Sequence, residues 1–115
     1  MIYLASPYHH PEPDVMEDRF HKVAMATAHF LEQGLVVYSP IAHNHYLACN
    51  FNLPRDWPFW RKIDFGMLRH AEALYILTLP GWDKSVGVQA ERDMAARLLI
   101  PTYLVDEEGK MWLAQ

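Results

Sequence analysis

The sequence has few of the residues that mark disulfide-rich, membrane-spanning or nucleic-acid-binding proteins. A single cysteine, Cys49, stands among 115 residues, so no internal disulfide can form, as is usual in a reducing compartment. Lysine and arginine total 10 against 14 aspartates and glutamates, and no basic patch typical of duplex binding stands out. The longest apolar stretch, 73–79, is far too short to cross a bilayer. We therefore expect a cytoplasmic protein that binds neither a nucleic-acid polymer nor a membrane.

The opening residues and the composition indicate one folded domain. The apolar run 2–5 is too short for an export signal and is ended by Ser6 and Pro7, so we expect no such signal. Hydrophobic residues make up 51% of the chain and charged residues 21%, which argues against disorder. The length suits a single domain over residues 1–115 with one sizeable core.

Short apolar runs alternate along the chain with segments of helical spacing. The runs predict strands over 2–5, 35–38, 73–79 and 102–105, with a further edge strand favoured over 111–113. The spacing predicts helices that start at Asp14, Asp56 and Ser85 and end near residues 31, 70 and 98. Asp14 with Glu17 predicts a capping box. The segment 41–55 is ambiguous between a short helix and a loop.

Apolar strands that alternate with helices indicate a parallel sheet covered on both faces. We therefore predict a three-layer α/β sandwich with a flavodoxin-like strand order, 2-1-3-4, and a fifth strand at one edge. Ligands bind such sheets at the carboxyl ends of the strands. The loops at that edge hold the sequence's unusual polar and aromatic residues: Ser6, Tyr8, His9, His10, Ser39, His43, His45, Trp82 and Ser85. The sequence therefore predicts a binding site there.

Two carboxylates interrupt the apolar faces of the last two predicted helices. The residues three and four positions from Glu91 are all uncharged, so Glu91 lies within an apolar stripe. Asp64 does the same one helix earlier, although Arg61 is close enough in sequence to pair with it. An inward carboxylate costs about 1–3 kcal/mol even when partly satisfied, unless it has partners or a function. We predict that both face one cavity at the carboxyl edge of the sheet.

Other unusual residues each have a structural and a functional interpretation. Ser85 can be a plain N-cap, or with Gly87 it can open a helix start that receives a phosphate. His43 and His45 can join His9 and His10 in a metal site, contact a substrate, or simply be polar loop residues. The metal interpretation is the weaker one because no cysteine and few carboxylates accompany the histidines. Aromatic residues can line a pocket, pack in the core or form a subunit contact: Trp57, Phe59, Trp60 and Trp82.

Three stretches of the chain resemble the nucleoside 2-deoxyribosyltransferase superfamily, including its nucleoside 5′-monophosphate N-glycosidase branch. The first, residues 3–8, resembles the family's opening strand and sugar-side loop. The second, Asp64-x-x-x-Leu68-x-x-Ala71-Glu72, resembles the segment before its third strand. The third, Ser85-x-Gly87-Val88-x-x-Glu91, resembles the signature of the N-glycosidase branch. The likeness extends from residue 3 to about residue 105 and is closest to a family of short bacterial and phage proteins of that fold.

The resemblance implies a function and a set of site residues. Glu91 would attack or stabilise the anomeric carbon, and Asp64 would be the second acid near the glycosidic bond. Substrate contacts would come from Tyr3, Ser6, Tyr8, His43, Trp82, Ser85 and Gly87. The transferase branch usually has an aspartate where Ser85 stands, which favours hydrolysis over base exchange.

The family likeness also bears on cofactors and assembly. It implies a nucleotide or nucleoside as the small-molecule partner, no cofactor and no metal. We expect a homodimer or a higher homo-oligomer, because a chain this short is not expected to cover all the aromatics of 57–60 and Trp82 by itself. The resemblance implies the same, since related enzymes complete their sites across a subunit contact. A nucleotide-binding or sensing module without turnover, and a deoxyribosyltransferase, remain the alternatives.

Overall fold

The computed structural model describes residues 1–54 and 56–114, which form one five-stranded sheet of order β2-β1-β3-β4-β5. Its strands are β1 (Ile2–Ala5), β2 (Val37–Tyr38), β3 (Ala73–Leu77), β4 (Thr102–Val105) and β5 (Met111–Leu113). The first four are parallel, and β5 pairs with β4 in the antiparallel sense. The predicted α/β class and strand order are therefore confirmed, with β5 as the edge strand.

The helices cover both faces of this sheet. They are α1 (Pro13–Glu32), α2 (Pro40–Asn50), α3 (Trp57–Leu68) and α4 (Val86–Arg97). Side chains of β1 alternate between the faces, as the pleat requires. Ile2 and Leu4 pack with Val23 of α1. Tyr3 packs on the opposite face with Leu68 of α3 and Val88 of α4. The structure is thus a three-layer sandwich, and none of the described helices is long and apolar enough to cross a bilayer.

One local prediction at a helix start is wrong, and the structure decides one segment that the sequence leaves open. The capping box of Asp14 and Glu17 does not form, because Pro13 takes the first helical position and Glu12 becomes the N-cap without a side-chain cap bond. The ambiguous segment 41–55 begins with a true helix, α2, whose N-cap Ser39 accepts a hydrogen bond from Ala42 N. The last residue of that segment, Arg55, lies outside the described residues.

The strand and helix bounds also differ in detail from those predicted. β2 pairs over only two residues, β3 ends two residues earlier than the apolar run, and α3 ends at Leu68 rather than near residue 70. A short 3-10 helix, Trp82–Lys84, occupies the loop between β3 and α4. These changes leave the strand order and the carboxyl edge of the sheet unaltered.

The chain reverses its direction of travel across the sheet at β1. β2 lies on one side of β1 and β3 on the other, while α1 and α3 lie on opposite faces. Such a switch point leaves a crevice outside the carboxyl ends of the adjacent strands, where α/β proteins bind their ligands. The topology therefore directs attention to the residues that follow β1 and to the helix starts nearby.

Candidate functional site

A cavity of about 710 Å³ opens at this carboxyl edge. Its size lies within the range of roughly 300–1,000 Å³ that is usual for small-molecule sites. The residues that line it belong to the loop after β1, to all four helices and to the loop before α4. Its polar and charged members are Ser6, Tyr8, His9, Glu17, Asn44, His45, Cys49, Asp56, Asp64, Lys84, Ser85 and Glu91. The cavity thus brings together residues that are far apart in the sequence.

Glu91 is held at the inner end of the cavity by α4. It lies on the buried stripe of that helix together with Val88 and Ala95, and only 4% of it is exposed. The hydroxyl of Tyr3 donates a hydrogen bond to its carboxylate. Burial, assisted by the charge of Asp64, raises the pKa of Glu91 to about 8, although the Tyr3 hydrogen bond acts in the opposite direction.

Asp64 projects into the same cavity from α3. It is 7% exposed, and it shares the buried side of α3 with Leu68. Burial raises the pKa of Asp64 to about 7. Within the described part of the chain, its Oδ1 atom has no hydrogen-bond partner. Buried polar atoms are nearly always paired, so this oxygen is a candidate for contact with a ligand.

These two carboxyl groups form a coupled pair. Between about pH 7 and 8 they hold about one proton between them, because one pKa lies at each end of that range. A pair that carries one proton near neutral pH can supply both an acid and a carboxylate to the same reacting group. Both carboxyls line one cavity, as the interrupted apolar stripes predict.

Among the described residues, Ser6 Oγ is a second buried atom of the cavity lining that has no hydrogen-bond partner. Ser6 follows β1 directly and is 6% exposed. It lines the cavity together with the start of α4. There Ser85 caps the helix, because its Oγ accepts a hydrogen bond from Val88 N at 3.3 Å. The structural interpretation of Ser85 is thereby confirmed, and a ligand contact remains a proposal.

Gly87 lies one turn before Glu91, beside an aromatic wall. A Cβ atom at Gly87 would lie 3.5 Å from the Trp57 ring, an ordinary van der Waals distance. Both residues line the cavity, together with Trp60. The sequence leaves Trp57 and Trp60 open between a pocket lining, core packing and a subunit contact. Their position gives the cavity flat apolar faces next to its carboxyl groups.

A group of contacts in the cavity lining joins α1, α2 and the loop after β1. The hydroxyl of Tyr8 lies 2.8 Å from His45 Nδ1, and His45 Nε2 lies 3.3 Å from the Glu17 carboxylate. Phe20 stacks on the same imidazole with a centroid distance of 3.8 Å. The sequence alone does not reveal this group, because Glu17 has the spacing of a capping residue and His45 that of a loop residue.

Three of the residues predicted to contact substrate lie outside the cavity lining: Tyr3, which donates to Glu91, and His43 and Trp82. His43 is exposed, and its Nδ1 atom returns to the backbone oxygen of Ser39 at 2.9 Å. Trp82 is half-buried and packs against the apolar cluster under α3 and α4. Its ring lies 6.0 Å from the Arg92 guanidinium carbon. The 3-10 helix turns Trp82 towards the core, so the residue packs inward instead of standing in an open loop.

The remaining histidines and the cysteine do not assemble a metal centre. Within residues 1–54 and 56–114, no group of three histidine, cysteine or acidic side chains could hold a metal ion. His10 accepts a hydrogen bond from the Glu12 backbone at 3.0 Å, whereas His9 lines the cavity. Cys49 Sγ lies 3.6 Å from His45 Nε2, one helical turn along α2.

Comparison with known proteins gives the chain a family. A family model described as a domain of unknown function, DUF1937, matches residues 1–107. The chain belongs to the DUF1937 family. No curated protein matches the sequence. The match includes every residue of the cavity lining, so the geometry described above belongs to the DUF1937 domain itself.

Proposed function

We propose that this DUF1937 protein hydrolyses the N-glycosidic bond of a nucleoside or a nucleoside 5′-monophosphate. The observation that carries the proposal is the pair of buried carboxyl groups, Glu91 and Asp64, in one cavity of small-molecule size. Cleavage of an N-glycoside builds positive charge on the sugar ring, and carboxylates stabilise such charge in glycoside hydrolysis. The resemblance to nucleoside 2-deoxyribosyltransferases supports the same reaction.

The two carboxyls would have different roles. Glu91 would lie under the anomeric carbon, C1′, where the Tyr3 hydroxyl holds its orientation and favours its ionised form. In the free protein the pKa of Glu91 is the higher of the two, but positive charge that develops at C1′ would lower it, so the proton of the pair would pass to Asp64. Asp64 would then donate that proton to the nitrogen of the departing base. Water adds to C1′ and its proton returns to the pair.

The other cavity residues would bind the substrate. The unpartnered Ser6 Oγ and Asp64 Oδ1 atoms suit the hydroxyl groups of a sugar. Trp57 and Trp60 suit a flat base, which stacks favourably on aromatic faces. Tyr8 also lines the cavity and would contact the base or the phosphate. Tyr3 would act through Glu91, and we retain Ser85 and Gly87 as the contacts to a 5′-phosphate.

A screen for release of free base tests the proposal. Ordinary nucleosides and nucleoside 5′-monophosphates are incubated with the protein, and free base is measured by chromatography. Glu91→Gln keeps the shape of the side chain but removes its charge, so we expect base release to fall by about 100–1,000-fold, a loss of about 3–4 kcal/mol. Glu32→Gln removes an exposed carboxylate outside the cavity and is the matched control.

Three results would contradict the proposal. Wild-type turnover by Glu91→Gln on a verified substrate would exclude the role of that carboxylate. Tight binding of a nucleotide with no base released from any candidate would instead indicate a binding or sensing module. Base exchange in place of hydrolysis, seen when a second free base is added, would assign the protein to the transferase class.

The proposal includes a homodimer or a higher homo-oligomer. The aromatics on which that expectation rested, Trp57, Phe59, Trp60 and Trp82, are all at least half-buried within the single chain. Apolar residues elsewhere remain exposed, including Trp112 and Leu113 on the edge strand β5. Light scattering at micromolar protein concentration tests the prediction, and the mass of a monomer would contradict it.

A further inference from the structure

The charged residues that line the cavity are mostly acidic. Four carboxyl groups line it: Glu17, Asp56, Asp64 and Glu91. Among the described lining residues, Lys84 is the only lysine or arginine, and its side chain is exposed to solvent. A cavity of this kind offers a 5′-phosphate little compensation for its charge, whereas it attracts a positively charged ligand.

The two innermost carboxyls lack sufficient compensation from the protein. Within the described chain Asp64 Oδ1 has no hydrogen-bond partner, although the residue is more than nine-tenths buried. Glu91, buried to a similar extent, has the Tyr3 hydroxyl as a donor but no cation beside it. Ionisation of either buried carboxyl is costly unless positive charge lies beside it, so a ligand that supplies positive charge would be stabilised here.

The aromatic residues of the cavity suit the same kind of ligand. Tyr8, Trp57 and Trp60 line it together with the carboxyls. A flat cation is attracted by the face of an aromatic ring as well as by carboxylates. A neutral base would gain from the rings but not from the four carboxyl groups.

We infer that the substrate class of this site is a nucleoside whose base carries a permanent positive charge, such as a pyridinium N-riboside. The inference rests on the proposed N-glycoside hydrolysis and narrows its substrate. Phosphorylation at the 5′ position is not required for recognition, because the lining is acidic.

A cationic base changes the chemistry required of the two carboxyls. When the C1′–N bond breaks, both electrons leave with the nitrogen, and the base departs neutral without receiving a proton. The oxygen of water bonds to C1′, and the proton of that water passes to a carboxylate and then to solvent. The site therefore needs one carboxylate to stabilise the sugar cation and another to accept a proton, and no general acid.

The field of the bound cation favours that doubly ionised state. A positive charge beside Glu91 and Asp64 lowers the pKa of each from the raised value that burial imposes. Binding should therefore release protons to solvent. The other titratable and charged groups that face this pair from the surrounding elements are Tyr3, Tyr38, His9, Glu17, His45, Asp56 and Lys84.

The binding test compares nicotinamide riboside, which is cationic, with its reduced form, which is neutral and of nearly the same size. Calorimetry at pH 7.5 should show at least about tenfold tighter binding of the cation. The calorimetry is repeated in two buffers of different ionisation enthalpy. The difference between the two binding enthalpies should show that protons are released on binding. Equal affinity for the two forms, or a preference for the neutral one, overturns the inference.

Asp64→Asn tests whether the preference arises in this cavity. The variant should reduce the preference for the cation by about tenfold or more, since it removes a buried charge from the site. Asp93→Asn makes the same chemical change at an exposed position of α4 outside the lining, and should leave the preference as it is in the wild type. A preference that survives Asp64→Asn unchanged overturns the inference.

The kinetic test separates this inference from the proposed function. Hydrolysis of nicotinamide riboside should rise with pH and level off above about pH 8, with no loss on the alkaline side, because no acid is needed. Efficient hydrolysis of neutral nucleosides with poor hydrolysis of the cation would overturn the inference and leave the proposed function intact. Preferential binding of the cation without hydrolysis of any glycoside would overturn the function but support the preference of the site for a cation.

Discussion

Replacing Glu91 with glutamine should stabilise the free protein at alkaline pH and have much less effect in acid. Glutamine has nearly the same shape as a protonated glutamate, and its amide oxygen can accept the hydrogen bond of the Tyr3 hydroxyl. At low pH both the wild type and the variant therefore bury a neutral side chain. At high pH only the wild type must either ionise Glu91 in its buried position or hold a proton there.

The magnitude follows from the pKa of Glu91. Folding raises it from 4.5 to about 8, so between these values the folded state binds a proton that the unfolded state has lost. Stability then decreases as pH rises, by at most about 1.4 kcal/mol per pH unit from this residue. From pH 5 to pH 8 the sum is about 4 kcal/mol, and above pH 8 no more is lost. Glu91→Gln removes this loss, so its advantage should increase over that interval.

Urea unfolding followed by tryptophan fluorescence at several pH values measures the effect. The difference in unfolding free energy between Glu91→Gln and the wild type should increase by a few kcal/mol from about pH 5 to 8. Glu32→Gln, at an exposed position of α1, should show no such increase and controls for the loss of one carboxyl group. A difference that stays constant across this interval would refute the assignment of a raised pKa to Glu91.

Three further substitutions test individual contacts of the site. Tyr3→Phe removes the donor to Glu91, so the pKa of Glu91 should rise further, which carbon NMR of the carboxyl group measures; a fall would contradict the hydrogen bond. Ser85→Ala removes the cap of α4 and should cost about 1 kcal/mol in urea unfolding, whereas no loss would show that the cap is dispensable. Glu17→Gln breaks the contact with His45, but Glu17 has a 68% exposed side chain. The loss should stay below about 1 kcal/mol, and a larger one would show that the α1–α2 contact depends on this pair.

The sequence predicts the sheet and the two carboxyls for the same physical reason. Periodicity reports which side of an element is buried, and a strand or helix with a large buried face carries a clear period. Glu91 and Asp64 stand out because they break that period, and both are buried in the structure. The strand order follows because right-handed crossovers leave few arrangements of alternating strands and helices.

Elements with little buried surface give no such signal. The sequence does not distinguish helix α2 from a loop, because Pro40 is the only buried residue of α2 and the helix has no apolar stripe. The position of Trp82 depends on the 3-10 turn that precedes α4, and short turns leave no periodic pattern. The direction of the His43 ring depends on its contact with the Ser39 backbone, which is visible only in three dimensions.

Tyr3, the hydrogen-bond partner of Glu91, illustrates a second limit of prediction from sequence. Tyr3 has the character of a core residue in the apolar run 2–5, and it is indeed fully buried. Its hydroxyl nevertheless reaches the carboxylate of Glu91, 88 residues away in the chain. Periodicity shows that Glu91 is out of place on its helix, but only the crossing of β1 and α4 shows what holds it there.

The stability of this fold and the chemistry of its cavity depend on the same free energy. Burial of Glu91 and Asp64 destabilises the protein near neutral pH, by an amount that increases as protons are lost from the unfolded chain. Positive charge in the cavity, whether carried by a ligand or developed at C1′, lowers both pKa values and recovers part of that free energy. Because the recovery is larger the more positive charge is present, the proposed hydrolysis of a neutral N-glycoside would gain from the pair in its cationic transition state more than in its ground state, which is the condition for catalysis.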